Sequence, residues 1–148
     1  MSTLLLMILA ALTACGIPIQ AIVNARLGTL LANPLLAALI SFVTGTLALG
    51  IICLIANGGI PKYPSGVHIP AFLYIGGLLG AVFVTVVLVL VPKIGPANVI
   101  AATIVGQLVM GLVLDHYGVL GTPQNPVNLV RLSGAALLIV GAWLVKWG

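Results

Sequence analysis

Charge is almost missing from this chain. Its 148 residues include five Lys and Arg together and one acidic side chain, Asp115, for a formal net charge of +4. A soluble domain carries charge on about 25% of its residues, and a dispersed surface needs about that share ionised. At 4% charged, the chain cannot cover a globule with ions. That excludes a soluble enzyme, a coiled coil and a disordered segment. The basic residues are scattered along the sequence, so no stripe exists for nucleic acid. Cysteine is equally scarce. Cys15 and Cys53 both lie inside apolar runs, which suggests neither a disulfide framework nor a zinc site. No Ser/His/Asp cluster, metal-ligand spacing or phosphate loop occurs, and neither a cofactor nor a metal is expected.

What remains is 62% hydrophobic. A bilayer core about 30 Å thick is crossed by roughly 20 apolar helical residues, within a range of about 17–25. Five stretches meet that ruler: Leu4–Val23, Pro34–Ala56, Pro70–Val91, Ala97–Leu114 and Val127–Val145. None holds an acidic residue, and only the last holds a basic one, Arg131. Lipid offers the backbone no hydrogen-bond partner, and the alternating polarity of a barrel is absent, so each run must be helical. The expected fold is an all-α integral membrane protein with five transmembrane helices in a single domain over residues 1–148.

The connections carry loop chemistry. Asn33-Pro34 opens the second span, since proline is tolerated in a first helical turn. Asn57-Gly58-Gly59 closes it, and Pro61, Pro64 and Pro70 keep the next connection extended. Gly95-Pro96 is a very short turn, so the third and fourth spans should pack as antiparallel neighbours. Two prolines and two glycines fill the last loop, from Gly118 to Pro126. At the other end, Leu12-Thr13-Ala14-Cys15 looks like a lipoprotein cleavage box. However, Met1 to Met7 carries no positive side chain and the residues after Cys15 stay apolar, so the first span is expected to be retained.

Helices associate in lipid through small residues and interhelical hydrogen bonds. The first span carries Thr13, Gly16, Gln20 and Asn24 on one face, and the fourth carries Thr103, Gln107, Gly111 and Asp115 at steps of four. Gln20 and Gln107 are the only glutamines within the spans. An amide in hydrocarbon costs several kcal/mol unless paired, so both should face protein or a water-filled cavity. Two uses are open: helix glue, or the lining of a substrate path with Thr13, Asn24 and Thr103. Pro18 interrupts the first span and leaves the carbonyl of Ala14 free for a neighbour or ligand. Arg26 could stand at the cavity mouth. Asp115 should pair with Arg131 or His116, either as an interfacial structural contact or as an ion gate. Gly76, Gly77 and Gly80 form a close-approach face, as do Ala37, Ser41 and Gly45. Gly134 and Gly141, seven apart, suit a contact between protomers. Trp143 and Trp147 beside Lys146 read as interfacial anchors.

Certain blocks resemble a known family. Ile17-Pro18-Ile19-Gln20 with Asn24-Ala25-Arg26-Leu27 is similar to the first-helix signature of the YdcZ-type family, within the drug/metabolite transporter superfamily. Ser41-Phe42-Val43-Thr44-Gly45-Thr46, Gly76-Gly77-Leu78-Leu79-Gly80, Gly106-Gln107, Asp115-His116-Tyr117-Gly118 and Arg131-Leu132-Ser133-Gly134 resemble its later blocks, in order, over essentially the whole chain. The resemblance implies a half-size, five-helix transporter repeat working as an antiparallel pair with itself or a homologue. It implies the inner membrane as the location and a small molecule as substrate. More distantly the chain resembles the small multidrug resistance transporters, whose first helix supplies a proton-exchanging glutamate. Here that helix offers Gln20, so proton-coupled cation export is not implied. With no buried charge to select a sign, the expected substrate is neutral or amphipathic. A non-transporting accessory subunit is the main rival, followed by an open channel.

Orientation is weakly specified. The side after the first span holds Arg26, Lys93 and Lys146, and the opposite side holds Lys62 and Arg131 with Asp115. Since the excess of Lys and Arg selects the cytoplasmic side, a surplus of one favours Arg26 and Lys93 inside only weakly. Two readings stay open: insertion both ways with antiparallel pairing, or one orientation held by insertion kinetics or a partner of opposite bias. Under the first, reporters fused to either terminus and active on one side only should both give signal in both fusions; a one-sided signal contradicts dual insertion.

Overall fold

A computed structural model describes residues 3–62, 65–66 and 68–147. Pro64, expected to stiffen the long connection, lies outside the described residues. Among the described residues every regular element is helical: α1 (Thr3–Ala14), α2 (Gly16–Leu30), α3 (Pro34–Asn57), α4 (Gly76–Ile94), α5 (Pro96–Tyr117) and α6 (Leu129–Val145), with short 3₁₀ turns at Ala71–Ile75 and Val119–Gly121. The molecule is an all-α membrane protein. It divides into two compact units, residues 1–93 and 94–148.

The first expected span is longer than its apolar pattern indicated. It runs from Thr3 to Leu30, 28 residues, rather than ending at Val23, and is broken into α1 and α2 at Cys15. The break sits three residues before Pro18, whose ring has no N–H for the carbonyl of Ala14 and crowds the preceding turn. Cys15 N–H bridges the joint by donating to both Ala11 and Leu12 carbonyls, at 3.2 and 3.3 Å. Asn24 and Arg26 therefore sit inside a helix, not beyond its end. The helix continues because nothing stops it before Leu31: Asn24 makes its side-chain bond to another helix instead of competing for its own backbone.

The α2–α3 turn is a tight C-terminal cap followed at once by an N-cap. Asn33 N–H donates to Gly28 carbonyl and Ala32 N–H to Thr29 carbonyl, with Ala32 left-handed at φ 49°. This is the paired-bond ending of a helix in which glycine usually takes the left-handed place. Asn33 then caps α3: its Oδ1 accepts from Leu36 N–H at 3.1 Å, and Pro34 occupies the first turn. The other expected bounds shift little. The third span enters through the 3₁₀ turn and runs to Ile94, and the fourth covers Pro96–Tyr117. The fifth begins at Leu129 rather than Val127, because extended Asn128 caps it by accepting from Arg131 N–H. Four helical runs of 22 to 28 residues are long and apolar enough to cross a membrane, and α6 has 17, at the lower edge of the spanning range.

The first unit is held by small side chains. Ala21 and Ala25 of α2 and Ala37 and Ala38 of α3 are buried, Ala37 fully (0% exposed), and Leu88, with Val87 and Val91 of α4, completes the core. Gly28 is the tightest point. A Cβ there would lie 3.3 Å from Leu88 Cδ2, 3.4 Å from Pro34 Cα and 3.6 Å from Ala37 Cβ. Of the predicted small-residue faces, Ala37 is buried here and Gly80 approaches the Phe42 ring, at 3.5 Å from its own Cβ position, while Gly76 has no neighbour within 4 Å. Elsewhere Leu, Ile, Val and Phe side chains are exposed along every helix, as lipid-facing surfaces must be. Gly28→Val should overpack this contact and destabilise the chain by about 1–3 kcal/mol; reversible SDS unfolding of reconstituted protein measures it, and unchanged stability contradicts the packing assigned to Gly28.

Candidate functional site: a polar groove on the first unit and a tied loop on the second

Gln20 projects from α2 into a groove of about 240 Å³ walled by Ser41, Phe42, Thr46 and Leu49 of α3 and Val84 of α4, with Gly45 leaving the wall open. The α3 residues lie at steps of one, three and four, so one helical face presents them all. Gln20 is exposed, and among the described residues its amide and the Thr46 hydroxyl make no hydrogen bond. At one edge Asn24, only 8% exposed, donates through Nδ2 to Ser41 Oγ at 3.1 Å. Asn24 thus ties α2 to α3, and any contact it makes with a substrate must compete with Ser41.

The remaining polar candidates are placed less suggestively. Thr13 donates to the carbonyls of Leu9 and Ala10, and Thr103 to that of Ile100, a self-satisfied arrangement common for hydroxyls on helices. Pro18 is half-buried one turn before the joint between α2 and α3 residues begins, and Arg26 is exposed near the end of α2. Gln107 is exposed on α5 and has no hydrogen bond among the described residues. The two polar stripes belong to separate units, Gln20 to the first and Gln107 to the second.

On the second unit, α5 and α6 pack together and the loop between them is tied to both. Arg131 donates through NH2 to Asp115 Oδ2, the expected ion pair, with the two side chains 28% and 39% exposed. The same guanidinium donates through NH1 to Asn125 carbonyl at 2.6 Å, while Asn125 N–H donates to Asp115 carbonyl at 2.7 Å. His116 is engaged differently from expectation. Its Nδ1 accepts from Val127 N–H at 3.2 Å and its carbonyl accepts from Gln124 Nε2 at 3.1 Å. Gly118 is required at the corner: it is left-handed at φ 59°, and a Cβ would lie 3.2 Å from Gln124 Cβ. These bonds clasp the loop to the ends of α5 and α6. Gly134 and Gly141 line an open groove of about 490 Å³ with Ala101, Ile104 and Leu137, and among the described residues a Cβ added at either glycine would meet nothing within 4 Å beyond its own helix backbone.

Sequence reasoning read Ser41 and Gly45 as packing positions and did not single out Thr46. The clustering of 41, 42, 45, 46 and 49 on one face was the available signal, but periodicity does not say whether a face meets a helix or a space. Among the described residues no cluster of three His, Cys, Asp or Glu could hold a metal ion.

These features define a multi-pass helical membrane protein with polar groups displayed at membrane depth and no assembled catalytic set among the described residues. Residues 5–144 match the family profile DMT_YdcZ, described as "Putative inner membrane exporter, YdcZ", and the chain belongs to that family. It is similar to the inner membrane protein YdcZ of Escherichia coli (strain K12), with 41% identity over 71 residues, 48% of this chain and 47% of that protein. The chain thus matches about half the length of that relative. No solved structure matches it. The protein is accordingly a multi-pass inner-membrane protein of a transporter family.

Arg131→Ala removes both the ion pair and the bond to Asn125, whereas Asp115→Asn leaves the Asp115 backbone carbonyl in place. Hydrogen exchange should show protection of the Asn125 and Val127 amides falling by about 1–2 kcal/mol in the first variant and by less than about 1 kcal/mol in the second. Unchanged protection in Arg131→Ala would show that the clasp does not depend on Arg131.

Proposed function

We propose that the protein moves small neutral or amphipathic molecules across the inner membrane by alternating access, as a pair of oppositely inserted copies. The observation that carries this reading is the unpartnered amide of Gln20, set beside the hydroxyls of Ser41 and Thr46 in an otherwise apolar groove. A primary amide exposed to acyl chains costs several kcal/mol, so this face needs water, a solute or a second copy against it. Gln107 raises the same demand on α5. Pairing of two inverted copies would cover such faces, the logic of inverted repeats in transporters, and agrees with the near balance of basic residues on the two sides.

Gln20 and Thr46 then bind the solute by hydrogen bonds, with Gln107 contributing from its own unit. The groove holds no ionisable group, which fits an uncharged polar head joined to an apolar body. A groove of about 240 Å³ is smaller than the roughly 300–1,000 Å³ of ordinary ligand pockets, and a second copy laid against it would enlarge the space. Substitution of both Gln20 and Gln107 by Leu, in proteoliposomes tested with a panel of neutral amphipathic solutes, should lower flux at least about tenfold, the effect of removing one to two hydrogen bonds to the moving solute. Undiminished flux in the double variant contradicts the assignment.

A further inference from the structure

A second groove lies wholly within the second unit, on the flank of α5 and α6. It has a volume of about 610 Å³ and is lined by Ala102, Val105, Ile139 and Ala142 along its length, with Asn98, Trp143 and Lys146 toward one end. Along α5 the lining runs from Asn98 to Val105, about 10 Å at the helical rise per residue. The floor is apolar throughout. The end is not.

That end carries donors. Lys146 holds its ammonium 5.0 Å from the centre of the Trp147 ring, an arrangement that keeps a cation beside an aromatic face. Trp143 contributes an indole N–H with no hydrogen bond among the described residues, and Asn98 already spends one amide hydrogen on Ile94 carbonyl at 2.8 Å. Asn98 also places the first turn of α5 there, and the N–H groups of a first helical turn favour an anion. The chain's one carboxylate, Asp115, is on the last turn of the same helix, 17 residues from Asn98 and so about 25 Å away. Among the described residues no carboxylate stands at this mouth, and Lys146 is its one charged side chain. Trp143, Trp147 and Lys146 together have the composition of the membrane–water boundary, where lipid phosphates lie.

We propose that this groove binds an anionic phospholipid, with an acyl chain along Ala102, Val105 and Ile139 and the phosphate against Lys146 and Trp143. Basic pockets between transmembrane helices are known to take such headgroups, and here the apolar length and the basic, indole-bearing mouth match the two halves of one ligand. The groove does not involve Gln20 or Thr46, so the proposal stands apart from the transport reading.

The test uses the full chain in detergent, titrated with dioleoylphosphatidylglycerol, dioleoylphosphatidylcholine or inorganic phosphate and followed by thermal unfolding and native mass spectrometry. Phosphatidylglycerol should stabilise the chain and remain bound at one molecule per chain, while phosphatidylcholine and free phosphate should do neither. Lys146→Gln should weaken phosphatidylglycerol binding by roughly five- to tenfold, the worth of one basic contact, and Lys146→Arg should restore it. Ala102→Phe, which fills the floor and keeps the mouth, should abolish retention of the lipid. Equal binding of phosphatidylcholine, wild-type affinity in Lys146→Gln, or stabilisation by phosphate alone would each overturn the proposal. Circular dichroism of each variant separates loss of binding from loss of fold.

Discussion

Helices in lipid gain no hydrophobic energy by leaving the acyl chains for one another, so they associate where backbones can come close. In this protein that place is the α2–α3 hairpin, where Ala21, Ala25 and Gly28 meet Ala37 and Ala38 and Leu88 fills the remaining space. A larger side chain at any of these positions would separate the helices. The hydrogen bond from Asn24 to Ser41 would then be out of reach, and with it the wall of the groove that Gln20 enters. Core and candidate site are thus consequences of one close contact.

The same logic explains why so little of the chain is buried. Its core consists of small residues, and its large apolar side chains face outward. In water this distribution would be unstable. In a bilayer the outward Leu, Ile and Val side chains cost nothing, and the polar groups become the expensive ones. Most are settled locally: Thr13, Thr29, Thr44, Thr85 and Ser133 each donate to a carbonyl of the preceding turn. Among the described residues Gln20 and Gln107 are not, and their amides still need a partner. The Asp115–Arg131 clasp uses the charges differently, tying the α5–α6 loop at an end of the helices where water can screen them.

Parts of this arrangement were legible in the residues and parts were not. Asn33-Pro34 announced the start of α3, because an Asx cap followed by proline has few other uses, and Pro18 announced the break near Cys15. The end of the first span was set too early, at Val23, because the apolar run stops there, whereas the helix continues to Leu30. Val127 was assigned to the last helix. Only the folded loop reveals that its N–H is taken by His116 and that Asn128 is the cap.

Composition alone settled the solvent: with 4% of residues charged and 62% apolar, helices in a bilayer were the only structure that could satisfy the backbone. Periodicity likewise placed Gln20 with Asn24, and Gln107 with Asp115, on common helix faces. It could not say what those faces meet, because a helical stripe looks the same whether it packs, binds or faces lipid. Tertiary structure decided that Asn24 is spent on Ser41, that Gln20 opens onto a groove, and that Lys146 stands at the end of an apolar trough. Each of these depends on a distance between helices, and small residues set that distance only when the partner helix is in place.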